Sequence, residues 1–490
     1  MIDIRITDRV GVPGRSKACH TCKRRKLGCD RLRPSCRRCT SAGLSCEGYE
    51  RASIFVNSTQ GSHSNFSLKP YSPRQLSEHT AASTQTSSPL LDVSLERTAS
   101  EAKYVSLYWR FLLPRNGQPF PLQAARHSTT GWTQVVQDLS QKNDGVRMGL
   151  LANALALVGQ QIGQTSVVAE AWRMYSQTLQ TLARSLPHVS EQGTAIDAKL
   201  MTSALLAAFE LLQVSDDRRS CLHGMTWLRH STGQKAIILA NGPESYVEGH
   251  AHQIFVDGRL HLIYLEIHNR TRSPFSSSEW KSIPWSKISK SPKDELVDIL
   301  LEIPGLLEDL RLHLDDQTQE QLQARCRICD AQLRHWSTSS GKASVSFAER
   351  LISTNTSQVS DPSPEDFAMA HLSMIYWATC SMLYQIMHRT ADGDTDPWLY
   401  CHKILLMVAF FQRPDMGAIF INFVGFPVGV VVSFLARDVD PRSAELKELL
   451  QKIFQNQHWG SQLRAFLETW PWKDTGETRV VTDKAKRRVQ

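Results

Sequence analysis

The chain has 490 residues, of which 41% are hydrophobic, and this length predicts more than one folding unit with a sizeable core. Its formal net charge of +8 equals the excess within residues 1–51, where 13 Lys and Arg stand against 5 Asp and Glu, so the other residues sum to zero. The opening residues MIDIRITDRV contain no apolar stretch of the kind that directs secretion, which argues against a disulfide-bonded protein of an oxidising compartment.

A basic arm is predicted at residues 1–18, and a cysteine-rich module follows it at residues 19–46. Its six cysteines have the spacing C-x2-C-x6-C-x6-C-x2-C-x6-C and are Cys19, Cys22, Cys29, Cys36, Cys39 and Cys46. A segment this short cannot bury enough apolar surface to fold alone, and the C-x2-C pairs favour a metal over disulfides as the stabilising element. Two tetrahedral zinc ions need eight ligand positions, so six thiolates suffice only if two of them are shared.

The cysteines form two units with the same spacing, which begin at Cys19 and at Cys36. This pseudo-twofold arrangement places the first cysteine of each unit nearest the axis, and we therefore predict that Cys19 and Cys36 are shared by both ions. Sites of the RING, LIM or nuclear-receptor type need eight ligands, whereas the only histidine of the module is His20. An all-cysteine cluster leaves no open position for a catalytic water, and the chain contains no phosphate-binding, dinucleotide-binding or hydrolase motif. We do not expect an enzyme.

Basic side chains crowd the module, and the run KRRK at residues 23–26 is the densest of them. Two Zn2+ and six thiolates together carry a charge of 2−, which leaves residues 1–51 at about +6. Such a positive surface on a small rigid scaffold is typical of proteins that bind the phosphate backbone of nucleic acids. On its own, the run KRRK is as readily a solvated surface or an import signal; its place between zinc ligands favours DNA binding.

The cysteine pattern resembles that of the fungal binuclear zinc-cluster (Zn2Cys6) transcription factors across its whole length. The resemblance implies two zinc ions, with Cys19 and Cys36 as bridging ligands, and a short helix whose end reads a CGG-type triplet of double-stranded DNA. It places Arg25 and Lys26 at guanine edges. The residues that it assigns to phosphates are Lys23, Arg24, Arg37 and Arg38. Gly28 departs from the family, in which many members carry a basic residue at this position.

Residues 47–100 are rich in Ser, Thr, Gln, Asn and His and show no sustained heptad, which predicts a disordered linker. Many members of the family carry a dimerising coiled coil at this place. Because this sequence does not show one, whether the protein forms a homodimer stays open.

From residue 101 onward apolar residues recur every three or four positions, which predicts helices throughout. The first is expected to have Ser100 as its cap and to end at Pro114. The others are predicted at 148–158, 168–186, 195–214, 221–239, 253–267, 294–314, 318–336, 364–388, 398–411 and 443–454. The predicted fold class is therefore all-α: a zinc-stapled module, a disordered linker, a large helical domain at residues 101–472 and a basic flexible tail at residues 473–490.

The helical region resembles the regulatory domain that accompanies the zinc cluster in many fungal transcription factors. The residues that carry this looser resemblance are Tyr104, Trp109, Phe111, the aliphatic stretch 150–158, His230, Gly233, Ile238, Asn241, Gly242 and Pro243. It implies control of activity by a small effector or by partner proteins, including coactivators or the transcription machinery. The sequence does not locate an effector pocket.

Three other patterns have competing interpretations. Cys326 and Cys329 form a further C-x2-C, but their helical spacing with neighbouring apolar residues favours core packing over a redox or metal site. Residues 416–436 carry no charge over a length that could span a bilayer, yet Pro427 interrupts them, so a buried core segment is expected and no membrane contact. The histidines at 250, 252, 261 and 268 lack ligand partners at suitable spacing and are expected to be surface or hydrogen-bonded residues.

These patterns together predict a nuclear, sequence-specific DNA-binding regulator of RNA polymerase II transcription. Members of this family are more often activators than repressors, and they often control metabolic pathways. The resemblance therefore implies an activator of a metabolic gene cluster, such as one for a secondary metabolite. The alternative is a zinc-cluster interaction module or repressor that binds DNA weakly and recruits partners.

Overall fold

The computed structural model describes residues 18–30, 32, 35–46, 89–117, 119–186, 194–213, 220–311, 316–354, 361–390, 395–436, 440–457 and 459–469. The chain divides into two compact units, Met1–Gln85 and Thr86–Gln490, which we call the N-terminal unit and the helical unit. The predicted basic arm and basic tail lie outside the described residues, apart from Ala18, and so does most of the predicted linker.

Helices make up the regular structure of both units. The N-terminal unit contains α1 (His20–Arg24) and α2 (Arg37–Ser41). The helical unit contains α3 (Pro89–Leu112), α4 (Pro114–Gly117), α5 (Leu122–Ala125), α6 (Trp132–Lys142), α7 (Asp144–Gln161), α8 (Thr165–Ser185), α9 (Thr194–Leu212), α10 (Ser220–Asn241), α11 (Gly249–Asn269), α12 (Ser278–Ser282), α13 (Pro292–Leu300), α14 (Ile303–Asp309), α15 (Asp316–Thr338), α16 (Lys342–Ser353), α17 (Pro364–Arg389), α18 (Pro397–Phe411), α19 (Phe420–Leu435), α20 (Ser443–Phe454) and α21 (Gly460–Thr469), with short 3-10 helices at Pro243–Tyr246, Pro274–Ser276 and Ile283–Trp285. Among the described residues every regular element is a helix, which confirms the all-α fold class.

Two of the differences from the predicted helix boundaries have a clear cause in the sequence. Helix α3 begins at Pro89, within the predicted linker, and Ser100 lies inside it rather than at its start. Proline is well suited to the first helical turn because its missing N–H needs no partner there. The single helix predicted at 294–314 is instead two, α13 and α14, and Pro304 lies in the first turn of α14. A proline removes a backbone donor and clashes with the preceding turn, so it separates the two helices.

Helix α17 lies in the core of the helical unit and is buried over most of its length. It begins with a capping box, in which the amide of Asp366 donates to Ser363 Oγ at 3.1 Å and the amide of Ser363 donates to an Asp366 carboxylate oxygen at 2.8 Å. These two bonds satisfy backbone donors that have no partner within the helix itself. The fixed start positions the apolar side chains of α17 against those of α18 and α19.

The uncharged stretch 416–436 contains α19, and most side chains of this helix lie in the core, as expected from the sequence. Pro427 lies inside this helix. Nowhere in the described residues is there a helix with the length and apolar character needed to cross a membrane.

The cysteines outside the N-terminal unit are buried where the structure describes them. Cys326 and Cys329 lie in the core on α15, as the helical spacing predicted, and Cys380 and Cys401 are also buried. The side chain of Cys221 lies outside the described residues. Thiols in such surroundings pack as small apolar groups.

Candidate metal centre

Four of the six predicted ligands converge in the N-terminal unit. The sulfur of Cys19 lies 3.7 Å from those of Cys36 and Cys39, and the sulfur of Cys22 lies 3.6 Å and 3.8 Å from the same two. Zinc bound to four thiolates at about 2.3 Å has sulfur–sulfur edges of about 3.8 Å. Three of these distances, Cys19–Cys36, Cys19–Cys39 and Cys22–Cys36, therefore match edges of the two sharing tetrahedra predicted from the sequence, in which Cys22 and Cys39 would bind different ions.

The two remaining cysteines lie beside this group. Cys29 and Cys46 are partly buried and pack against the four central cysteines. The sulfurs of Cys29 and Cys36 and a carboxylate oxygen of Asp30 lie within 4.8 Å of one another. Cys29 is thus close to a sulfur of the central group, as a second ion sharing Cys36 would require.

The two cysteine units have the same local backbone structure. In the first, the amide of Cys22 donates to Cys19 Sγ at 3.3 Å, and in the second the amide of Cys39 donates to Cys36 Sγ at 3.3 Å. A backbone N–H at the start of a helix stabilises a thiolate, the form of cysteine that binds metal. In each unit, the first turn of the helix therefore orients the sulfur of the first cysteine, Cys19 or Cys36.

The two short helices also end alike. The amide of Leu27 donates to the carbonyl of Cys22 at 3.1 Å, and the amide of Leu44 donates to that of Cys39 at 2.9 Å. The residue before each leucine has a left-handed backbone, with φ of 64° at Gly43 and 54° at Lys26. This is the Schellman arrangement of a helix C-terminus, in which glycine is the usual left-handed residue.

Lys26 therefore occupies a strained position. A non-glycine residue in the left-handed region costs roughly 1 kcal/mol, and the second unit shows that glycine serves the same turn. Local strain of this kind is typical of functional positions, where the side chain compensates for the cost.

Burial of the cysteine sulfurs affects their protonation. It raises the pKa of the Cys19 thiol to about 12 and also raises the pKa of the Cys22 and Cys36 thiols. In the metal-free protein these groups hold their protons at neutral pH, so zinc must displace protons when it binds. The cluster thus has the chemistry of a metal site rather than that of a set of reactive thiolates.

Arg24, Arg25, Lys26, Arg37 and Arg38 are all exposed on the N-terminal unit. The side chain of Lys23 and all of Arg31 and Arg33 lie outside the described residues.

Arg38 reaches back towards the other unit, and its Nη1 donates to the carbonyl of Gly28 at 3.3 Å. A Cβ at Gly28 would lie 3.8 Å from this same nitrogen. Gly28, where many members of the zinc-cluster family carry a basic residue, therefore has the guanidinium group of Arg38 beside it.

Asp30 is a structural residue that the sequence analysis missed. One of its carboxylate oxygens accepts from the amide of Arg37 at 2.9 Å and the other accepts from the amide of Leu32 at 3.3 Å. It thereby caps the start of α2 from the preceding loop. A signal was present, since Asp30 is the only acidic residue between Cys19 and Cys46.

Replacing Asp30 with alanine should weaken zinc binding, because the first amide of α2 loses its acceptor. Loss of a helix cap costs about 0.5–2 kcal/mol, which corresponds to a roughly 2- to 30-fold lower zinc affinity. Competition with a chromophoric chelator measures this change. Asp30→Asn is the control: it keeps one acceptor oxygen for the amide of Arg37, loses the bond from the amide of Leu32, and should lower zinc affinity less than Asp30→Ala does. Equal losses in both variants would contradict the assignment of the effect to the cap of α2.

The comparisons with known proteins agree with this geometry. Residues 17–53 match the family model of the fungal Zn(2)-Cys(6) binuclear cluster domain. No curated protein and no solved structure matches the chain. The matched domain binds two zinc ions, so zinc is the metal of this centre. The match supports a fungal zinc-cluster transcription factor that binds DNA. The regulatory-domain resemblance of residues 101–472 stays a prediction.

Proposed function

We propose that this protein is a nuclear, sequence-specific DNA-binding regulator of RNA polymerase II transcription whose reading module is a binuclear zinc cluster at residues 19–46. The observation that carries the proposal is the convergence of Cys19, Cys22, Cys36 and Cys39 within a segment that matches the binuclear cluster domain. A metal site made only of thiolates with no open position stabilises a fold and has no place for a catalytic water.

In this proposal Cys19 and Cys36 are the ligands shared by both ions. Their sulfurs lie 3.7 Å apart, the length expected for an edge common to two zinc tetrahedra. Cys22 and Cys29 complete one ion, and Cys39 and Cys46 complete the other. The matching first turns and helix ends of the two units support this pairing.

Arg25 and Lys26 are the proposed readers of a CGG-type triplet. They stand in the turn at the end of α1, both are exposed, and either side chain can donate to guanine O6 and N7. The strained backbone of Lys26, at a position where the second unit has Gly43, supports a functional role for its side chain.

Phosphate binding is assigned to Lys23, Arg24, Arg37 and Arg38. Residues 19–46 carry 8 Lys and Arg against 1 Asp, so the DNA backbone meets an excess of positive charge. Contacts of this type set the position of the module on the duplex but carry no sequence information.

We extend the proposal to the rest of the chain by resemblance. Residues 101–472 act as a regulatory domain that contacts coactivators or the transcription machinery, and the protein activates a metabolic gene cluster. The number and spacing of the triplets that it selects would indicate its target sites and whether it binds as a homodimer.

Site selection from a random duplex library with the zinc-loaded full chain tests the proposal. We expect enrichment of a CGG-type triplet, and binding to that site should weaken with salt at a log–log slope of about −0.9 per phosphate neutralised. Binding with the same salt slope but no enriched triplet would contradict a sequence-specific regulator and favour a weak DNA binder that recruits partners.

A further inference from the structure

A cavity of the helical unit lies where α6, α9, α10, α11, α19 and α21 meet. It has a volume of about 170 Å³, and an adjoining cleft of about 620 Å³ is formed in part by the same residues. The residues that line both spaces are Trp132, Ala208, Leu211, Ile421, Asn422 and Phe466. Together they reach the size of spaces that hold small organic molecules in proteins.

Small side chains produce this cavity. Ala204 and Ala208 lie on the face of α9 that lines it, and Gly258 of α11 lines it as well. A Cβ at Gly258 would be 3.7 Å from Gln234 Nε2 and 3.4 Å from a ring carbon of His261. Because these three positions carry no larger side chain, space remains open beside the side chains of Gln234 and His261.

Gln234 presents a hydrogen-bond donor to the cavity. It is 1% exposed, and its Oε1 lies 2.8 Å from Nε2 of His261. Burial lowers the pKa of His261 to about 4, so the neutral ring donates its Nε2 hydrogen to that oxygen at pH 7. The Gln234 Nε2 group is buried and has no hydrogen-bond partner among the described residues.

A second buried amide lines the adjoining cleft. Asn153 is fully buried, and its Nδ2 donates to the carbonyls of Gly149 and Leu205, both at 2.9 Å. Its Oδ1 has no hydrogen-bond partner within the described part of the chain. A buried polar atom without a partner costs about 1–3 kcal/mol, so two of them on residues that line adjoining spaces indicate a binding site rather than inert packing.

The charges around the cavity are already compensated. Asp257 is the only carboxylate among the described residues that line the two spaces. It accepts from Lys293 Nζ at 2.8 Å, from the amide of Trp132 at 2.8 Å and from Gln253 Nε2 at 3.0 Å. An ionised ligand would find no counter-charge here, whereas an uncharged one would leave this arrangement undisturbed.

We propose that this cavity binds an uncharged, mainly apolar small molecule whose carbonyl or other acceptor group receives a hydrogen bond from Gln234 Nε2. The aromatic and aliphatic side chains of α9, α11 and α19 contact its apolar body, and Asn153 Oδ1 accepts from any hydroxyl or amide that it carries into the cleft. The site is independent of the zinc cluster, and nothing in the proposed DNA binding requires it.

Fluorescence titration of the zinc-loaded full chain with prodan tests this site. Prodan is a neutral naphthyl ketone whose emission moves to shorter wavelength when it leaves water. We expect a saturable shift on binding. The matching dimethylaminonaphthalene, which lacks the ketone, should bind more weakly because it offers no acceptor to Gln234.

Two variants locate the binding. Gln234→Leu keeps the approximate size of the side chain but removes the donor, and should weaken prodan binding about 10-fold while changing that of the ketone-free probe by less than about twofold. Ala208→Phe fills space shared by the cavity and the cleft, and should weaken both probes by about 10-fold or more. Gln177→Leu, a matched change at an exposed position of α8, should alter neither affinity.

Thermal unfolding establishes that each variant is folded, and Ala208→Phe decides the question should Gln234→Leu fail to fold. The proposal is overturned if the parent protein gives no saturable shift, which would mean that water or the chain itself satisfies these amides. It is also overturned if prodan binds folded Gln234→Leu and Ala208→Phe as tightly as the parent.

Discussion

Replacing Cys36 with alanine should reduce the zinc content from two ions per chain to none and unfold residues 19–46. The Cys36 sulfur lies 3.7 Å from that of Cys19 and 3.6 Å from that of Cys22, it accepts from the amide of Cys39 in the first turn of α2, and in our account it binds both ions. Structural zinc contributes on the order of 10 kcal/mol or more to the folding of small zinc modules, so loss of a shared ligand removes most of the stabilisation. Zinc analysis of the purified full chain, together with DNA binding, measures the effect.

Two further variants show whether the loss is specific. Cys46→Ala removes a ligand of one ion only, so this variant should keep one zinc. Cys326→Ala changes a buried cysteine of the helical unit and should keep both. If Cys36→Ala also retained one ion, Cys36 would belong to a single site and the sharing would have to be assigned elsewhere.

Replacing Arg25 with alanine should leave both zinc ions bound and relax the choice of base within the selected triplet. Each bidentate contact with a guanine contributes about 1–3 kcal/mol of discrimination, which corresponds to a roughly 5- to 150-fold loss of preference for the correct base. The residue is exposed and its backbone amide donates to Thr21 O at 3.2 Å, a bond that alanine also makes. Competition between matched and single-base-changed duplexes measures the preference.

Lys26 needs a different replacement because of its left-handed backbone. Lys26→Gly removes the side chain while adopting the backbone that Gly43 has in the second unit, so it should keep the fold and lose base preference as Arg25→Ala does. Arg37→Ala is the contrast: it should weaken binding to all duplexes alike and reduce the salt slope by about one. If Arg25→Ala and Lys26→Gly behaved as Arg37→Ala does, these residues would be phosphate contacts.

The cysteine spacing predicted the metal centre because covalent connectivity limits where the sulfurs can lie. Two residues between thiols, at the start of a helical turn, place both sulfurs near one ion whatever the rest of the chain does. The structure brings together Cys19, Cys22, Cys36 and Cys39 in this way. The role of Asp30 and the left-handed backbone of Lys26 depend on the backbone path through the turns, which residue spacing does not specify.

Helical periodicity likewise predicted most of the helical unit, because burial of one face selects apolar residues every three or four positions. It missed α4, α5, α6, α12, α16 and α21 as separate helices, and it placed the start of α3 too late. The cavity could not be predicted at all. Gln234, Asn153 and Gly258 lie on three different helices, and only their packing shows that two amides line adjoining spaces.

Native mass spectrometry of the full chain tests the central claim most directly, because it counts the metal ions held by the folded protein. We expect a single species carrying two zinc ions, both lost together when Cys36 is replaced. A folded, DNA-binding protein with only one ion, held by the four central cysteines, or with none would contradict the shared cluster and the proposed function that depends on it.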